Sequence, residues 1–431
     1  MQIEELYALF VKHPVVCTDT RKISKDCIFF ALKGENFNGN SFASAALESG
    51  ASYVVIDEEE YRKDERCILV DDVLTSLQQL ATFHRQKLNI PVIGITGTNG
   101  KTTTKELIKA VLSEKFKTYA TLGNLNNHIG VPLTLLSVRE DTEIAIIEMG
   151  ANHQKEIAFL CSIAKPTAGL ITNVGKAHLE GFGGFEGVKK GKGELYDFMK
   201  VSGGKTFINR DNDFLVAMSE ERGLTEPIYY GTKAECFVYG YLVENNPYLV
   251  VDWFAEGNKH CVKSNLTGIY NLENILAAAA IGLYYGLNAE QINRGIGGYV
   301  PSNNRSQITK TEINTLICDY YNANPSSMMV ALDNFNAIDA DQKVIILADM
   351  FELGNESAAE HRAILEKALK ITADKKIFIG KEFCKLRDDK SYFFESTEEA
   401  FTYLKDHPVK DATVLIKGSR GMKLEKLVEV L

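Results

Sequence analysis

The chain has 431 residues, 45% hydrophobic and 24% charged, with a formal net charge of −9. That length exceeds one hydrophobic core and predicts two to four domains of an ordinary globular protein. The negative balance, without any basic block or stripe, argues against nucleic acid as a partner; it leaves a nucleotide substrate open, because local lysines and Mg²⁺ can handle phosphates.

The N-terminus carries Glu4 and Glu5 and no basic region, so it does not read as a signal peptide. The longest apolar stretch, 275–287, is too short to span a bilayer and contains Gly282 and Gly286; it predicts a buried helix and no membrane insertion. The eight cysteines are scattered without a C-x-x-C pair, the usage expected of reduced thiols in a cytoplasmic protein.

Residues 1–88 form a first α/β unit. It has strand candidates at 27–32, 53–56 and 67–70 and helices at 41–49 and 73–87. Residues 89–300 form a second unit of alternating strands and helices. Its strands end at Glu148, Thr172 and Asn209. An alternating stretch, 236–262, predicts an antiparallel excursion, and a long helix follows at 271–287. Residues 301–431 begin afresh, with strands at 316–318, 344–348, 376–379 and 414–416 and helices starting near Pro325, Ser357, Thr397 and Gly421. The fold class is α/β in three domains: a small N-terminal domain, a central P-loop-type parallel sheet and a C-terminal Rossmann-like domain.

The central signal is Gly94-Ile95-Thr96-Gly97-Thr98-Asn99-Gly100-Lys101-Thr102-Thr103-Thr104, between an apolar strand (90–95) and a helix with one apolar face (105–112). Glycines let backbone N–H groups turn inward, the helix N-terminus adds positive potential, and the lysine meets the outer phosphates. Thr102 is placed to put its hydroxyl on Mg²⁺. The loop departs from the strict P-loop pattern, with Ile at 95 and its extra glycine at 97. Glu148, closing the strand 144–147, is a natural second Mg²⁺ ligand. His178, in Asn173-Val174-Gly175-Lys176-Ala177-His178-Leu179-Glu180, follows the next strand and suits a further cation; Lys192 lies fourteen residues on, inside a lysine run. Asn271 and Asn274 open the Ala-rich helix, where their amides could read an adenine edge or cap the helix. Three polar strand ends in the last segment, at Asp319–Pro325, Asp349–Gly354 and Lys417–Gly421, predict a binding crevice.

These elements together resemble the Mur ligases, which build the peptide of bacterial cell-wall precursors. The resemblance covers all three segments: T-G-T-N-G-K-T, E-M-G, N-V-x-x-A-H-L-E, the K-G-E lysine, N-x-x-N and an arginine (Arg305) before the third domain. Two further elements, D-x-Y-N-A-N-P-x-S-M and D-M-x-E-L-G…H, resemble the branch that adds D-alanyl-D-alanine to UDP-N-acetylmuramoyl-tripeptide; a D-N-P-R element typical of a sibling branch is absent from the sequence.

The resemblance implies ATP and Mg²⁺, two ions, as cofactors. The ATP-binding set would be Gly97, Thr98, Asn99, Gly100, Lys101, Thr102, Thr103, Asn271, Asn274, Arg305 and Asp319. Lys192 would be carbamylated by CO₂ and join Thr102, Glu148 and His178 as metal ligands. Lys101, Lys192, His178 and Glu148 would be catalytic. Asn126, Asn127, Asn322, Asn324 and Asp349 would touch substrate, and Thr20 and Arg21 would touch the uridine end. His361 offers itself as a base by position alone. At the uridine elements the chain departs from the family: Thr20 replaces a serine, and Asn38-Gly39-Asn40 stands where D-G-H is common. The implied domain roles are UDP-muramyl binding for 1–88, ATP binding for 89–300, and dipeptide binding with closure for 301–431. The implied protein is a cytoplasmic monomer acting on small molecules. A folylpolyglutamate synthase-like ligase shares the loop and lysine but lacks a uridine-binding first domain, which the 88 residues before the loop supply.

Overall fold

The computed structural model describes residues 1–302 and 304–431. Four parallel strands open the chain, in the order Val16–Cys17, Ile28–Phe30, Tyr53–Ile56 and Cys67–Leu69. Helix Val73–Lys87 follows, started by Asp72, whose side chain accepts from the Thr75 N–H. Its Val73, Leu77, Leu80 and Ala81 fall on one face and pack into a core that continues through Val131, Leu135, Ile157 and Leu160. The first unit is therefore welded to the next by a shared apolar layer.

The central sheet has nine strands. The order runs Asn258–Lys263, Leu249–Ala255, Val238–Asn245, Ile228–Gly231, Lys205–Asn209, Ala168–Ile171, Val92–Thr96, Ile144–Glu148 and Thr118–Ala120. The first two join antiparallel and the rest are parallel. Strands Val92–Thr96 and Ile144–Glu148 are buried along their whole length, as helices on both faces of a parallel sheet require. Helices Lys101–Leu112 and Asn271–Tyr284 cover one face and Phe185–Ser202 the other. The antiparallel excursion expected at 236–262 is present as three strands.

A six-stranded sheet ends the chain, in the order Gln307–Lys310, Asn314–Asp319, Ala412–Lys417, Lys343–Ala348, Lys375–Ile379 and Tyr392–Phe394, antiparallel only at its first edge. Three α/β units are thus present. No helix among the described residues is long and apolar enough to cross a membrane. The eight cysteines are free, and six of them are buried.

Several expected elements shift. The helix after the phosphate loop starts at Lys101, four residues early; Thr102, Thr103 and Thr104 are buried despite their polarity and hide the apolar period. The helix expected to reach 287 stops at Tyr284, before Gly286 at φ +76°. No α-helix starts near Gly421. Two 3₁₀ stretches, Arg420–Met422 and Leu424–Val430, are separated by Lys423 in the left-handed region, which breaks the helical ladder.

Arg85 clamps the first junction. Its buried guanidinium donates to the carbonyls of Ala164 (2.9 Å), Leu88 (2.9 Å) and Lys165 (3.0 Å). Arg85→Met keeps the packing stem but strands those carbonyls, and should cost about 3 kcal/mol in urea unfolding. A loss under about 0.5 kcal/mol would mean the junction rests on its apolar layer alone.

Candidate active site

The strand C-termini of the central sheet and the adjoining edge of the last sheet enclose a cavity of about 750 Å³. The phosphate loop forms its floor. Gly97 has φ +145°, and a Cβ there would lie 2.0 Å from Thr172 Oγ1; Gly100, at φ +78°, sits against Asn274. Only glycine permits both turns. Thr98 Oγ1 accepts from the Gly175 N–H (2.9 Å), and the Asn99 N–H donates to Asn173 Oδ1 (2.9 Å), so the loop is braced by the segment after the next strand. Lys101 folds back to donate to the carbonyls of Gly97 (2.7 Å) and Thr98 (2.9 Å). Burial lowers its pKa to about 8; Glu148 opposes the shift and the positive charge of Arg305 adds to it.

Glu148 is buried at the end of its strand. Thr102 Oγ1 donates to it, with its two oxygens at 3.0 and 3.2 Å. Asn126 Nδ2 donates at 2.8 Å, and buried Lys105 stands 3.7 Å away. A hydroxyl beside a carboxylate is the hard oxygen pair that Mg²⁺ takes together with phosphate oxygens and water, so Thr102 and Glu148 fit one ion. Among the described residues no group of three or more His, Cys, Asp and Glu side chains could hold a metal without such help.

His178 and Lys192 stand apart from that pair. His178 Nδ1 is paired with Glu352 of the last domain. Its pKa is lowered, chiefly by burial, with Glu352 opposing. Lys192 Nζ is buried, donates to the Ala151 carbonyl (3.2 Å) and lies 5.1 Å over the Phe182 ring. Burial, and then the charge of Lys101, push its pKa well below the usual lysine value. A neutral amine is the form that takes up CO₂, so Lys192 fits a carbamate.

The last domain is docked on the loop. Asn324 Nδ2 donates to Asn99 Oδ1 (2.8 Å), the Lys176 N–H donates to Ser326 Oγ (2.9 Å), and Lys176 Nζ meets Glu360 (2.6 Å). Arg305, Asp319, Asn322 and Asn324 all line the cavity, as do Asn127, Asn271 and Asn274. Asn271 and Asn274 turn their amides inward: Thr104 Oγ1 donates to Asn274 Oδ1 (2.9 Å), Asn274 Nδ2 to Asn271 Oδ1 (2.8 Å) and Asn271 Nδ2 to the Thr267 carbonyl (2.8 Å). They brace the phosphate loop from behind.

Other expected residues lie elsewhere. Asp349 lines a second cavity, where its carboxylate accepts from the N–H groups of Glu382 (3.0 Å) and Phe383 (3.1 Å). His361 is fully buried; its Nε2 accepts from the Met350 N–H (3.0 Å) and its Nδ1 donates to the Ser357 carbonyl (2.8 Å). With both nitrogens engaged it holds the Asp349 turn and cannot serve as base. Thr20 and Arg21 form a surface turn outside both cavities, with Arg21 paired to Asp19 at 2.9 Å. Near them, Asn40 Nδ2 donates to Asp57 Oδ1 (2.8 Å) and Lys33 pairs with Asp57 (3.1 Å).

Sequence reasoning missed Lys105, Glu273 and the pairing of Lys417 with Asp319 (2.6 Å). No spacing marks a lysine one turn past the loop. Glu273 accepts from Asn209 Nδ2 (3.0 Å) and Asn173 Nδ2 (3.4 Å) inside the cavity. Burial pushes its carboxyl up to about 7.

The glycine loop on its helix N-terminus, with the carboxylate–hydroxyl pair beside it and a third domain docked over it, is the arrangement of a nucleotide-dependent ligase. The chain belongs to the Mur ligase family. Three family models match it in succession: "Mur ligase family, catalytic domain" over residues 14–85, "Mur ligase middle domain" over 95–282 and "Mur ligase, glutamate ligase domain" over 304–420. It is 35% identical to the UDP-N-acetylmuramoyl-tripeptide–D-alanyl-D-alanine ligase of Bacillus subtilis (strain 168), over 96% of this chain and 92% of that one. It is 32% identical to the Escherichia coli (strain K12) ligase of the same name, over 99% and 95%. A crystal structure of MurF from Acinetobacter baumannii matches with a TM-score of 0.86 and 29% identity, over 96% of this chain and 92% of that one.

Glu273 carries a pH signature. Its folded pKa, about 7, lies above the ordinary 4.5, so the folded state holds the proton more tightly than the unfolded chain. The stability it contributes is present in full below pH 4.5 and is lost as pH rises through 7. Glu273→Gln should therefore melt about 3 °C above the parent at pH 8 and level with it near pH 4.5. An equal offset at both pH values would show that the carboxyl does not titrate on unfolding.

Proposed function

We propose that the chain joins D-alanyl-D-alanine to UDP-N-acetylmuramoyl-tripeptide with hydrolysis of ATP to ADP and phosphate, giving the pentapeptide precursor of peptidoglycan. The observation that carries this reading is the 35% identity over 96% of the chain to the Bacillus subtilis ligase of that name. The site geometry supports the chemistry.

Phosphoryl transfer needs positioning and charge neutralisation more than covalent help. Lys101 and the N–H groups at the start of its helix would hold the outer phosphates. Thr102 and Glu148 would hold Mg²⁺, which when bound neutralises phosphate charge. The terminal carboxylate of the tripeptide attacks the γ-phosphorus and ADP leaves, which yields an acyl phosphate. The dipeptide amine then attacks the acyl carbon, phosphate leaves, and the amine gives up its proton as the amide forms. Asn126, Asn127, Asn322 and Asn324 line the cavity; in this reading the first two would touch the muramyl chain and the last two would be delivered by domain closure. Closure excludes water that would hydrolyse the acyl phosphate.

In this reading residues 1–88 hold the uridine end, 89–300 hold ATP, and 301–431 bring the dipeptide; the enzyme is a cytoplasmic monomer. Lys192 reacts as a neutral amine with CO₂, releasing a proton and becoming an anionic carbamate. It and His178 would then hold a second ion.

The first test is phosphate release from ATP and Mg²⁺ with the tripeptide nucleotide, with and without D-alanyl-D-alanine. Release that needs both, with a pentapeptide product by mass, is expected. Brisk release with neither would replace the ligase reading by a nucleotide-driven switch.

A second test concerns Lys192. Lys192→Ala should lower kcat by at least about 100-fold, with partial recovery on adding short carboxylic acids that substitute for the carbamate. Full activity without additive would sink the carbamate.

A further inference from the structure

Arg305 is half-buried and has an unusual environment for a cation. Its guanidinium carbon lies 3.9 Å from the centre of the Tyr321 ring, within cation–π range. Its Nε is buried without a hydrogen-bond partner among the described residues. The nearby carboxylate of Asp319 is spent elsewhere, accepting from Lys417 Nζ (2.6 Å) and from the Ser306 N–H (3.2 Å). A second guanidinium, that of Arg420, stands 5.3 Å from the same ring centre.

The topology explains the convergence. Arg305 precedes strand Gln307–Lys310, Tyr321 follows Asn314–Asp319 and Arg420 follows Ala412–Lys417; the three strands are neighbours in the sheet, with Tyr321 on the middle one. Arg305 and Tyr321 both line the cavity that holds the phosphate loop. A ring face orients a guanidinium without neutralising it, whereas a carboxylate partner would cancel the charge that an anionic ligand needs.

We propose that Tyr321 is a positioning residue that acts through Arg305, its ring face seating the guanidinium so that its N–H groups meet the phosphates of the nucleotide. The inference rests on the nucleotide reading of the cavity. The ring does the positioning; the phenol hydroxyl has no part in it. Tyr321 is half-buried on the cavity wall, so its removal leaves the two apolar layers of the domain intact.

The test is a double-mutant cycle on the full-length protein, read by calorimetric affinity for Mg²⁺-ATP and by kcat and KM for ATP. Tyr321→Leu should lose roughly tenfold in ATP affinity, the scale of a desolvated cation–π contact. Tyr321→Phe should recover all but about twofold of that loss. On an Arg305→Leu background, Tyr321→Leu should cost nothing further. Melting temperatures confirm that each variant is folded. Losses that add in full, or a Phe variant as weak as Leu, overturn the positioning role while leaving the ligase reading in place. A parent protein that binds no ATP overturns both.

Discussion

A buried carboxylate holds the site together. Glu148 closes the strand next to the phosphate-loop strand and is almost wholly removed from solvent. Such a charge is costly to desolvate unless donors surround it. Thr102 supplies one from the phosphate-loop helix, Asn126 another from the loop after Thr118–Ala120, and Lys105 a cation from behind. Lys105 in turn donates to the Thr121 carbonyl at 2.5 Å, and Thr121 Oγ1 accepts from the Glu148 N–H at 3.0 Å. The phosphate-loop helix and the loop that carries Asn126 therefore cannot separate without exposing that charge to poorer partners. A phosphate chain and an acceptor carboxylate bound on the two sides would meet at a fixed spacing, which is most of what phosphoryl transfer asks of a protein.

The third domain is held by weaker means. Its contacts with the phosphate loop and the 173–178 segment include an asparagine pair (Asn324 with Asn99), a serine on the Lys176 amide, and the partly exposed pairs Lys176–Glu360 and His178–Glu352. Partly exposed pairs of this kind contribute on the order of 1 kcal/mol or less each. Contrast the first junction, where an apolar layer and Arg85 make a continuous core. The first junction is the firmer of the two. In the proposed reaction that asymmetry matters, because the dipeptide must enter and the pentapeptide must leave past a domain that also keeps water from the acyl phosphate.

Much of this was legible in the sequence. The phosphate loop, Glu148 and the polar strand ends announce themselves because each sits at the end of an apolar run, and an apolar run is what a buried parallel strand looks like. The helix Val73–Lys87 was readable to the residue, since Asp72 caps it and its apolar positions keep the helical period. What the sequence hid depends on tertiary neighbours. The buried threonines after Lys101 look like a polar loop until Glu148 and Asn274 arrive to bond them. His361 looked like a free base because nothing local shows that the Met350 amide and the Ser357 carbonyl use both of its nitrogens. Asp349 resembled a crevice ligand, yet it accepts from two amides at the start of a short helix more than thirty residues on.

The cations of the cleft make a final point about order. Lys101 and Lys192 are both depressed, first by burial, and the charge on Lys101 further depresses Lys192. Burial and then the charge of Lys101 thus push Lys192 toward the neutral form. That form is the one that attacks the carbon of CO₂ in the proposed carbamylation. The product is an anion, so the proposed carbamate would favour the charged form of Lys101. In the proposed mechanism carbamylation would therefore supply a favourable charge near Lys101 as well as an oxygen ligand.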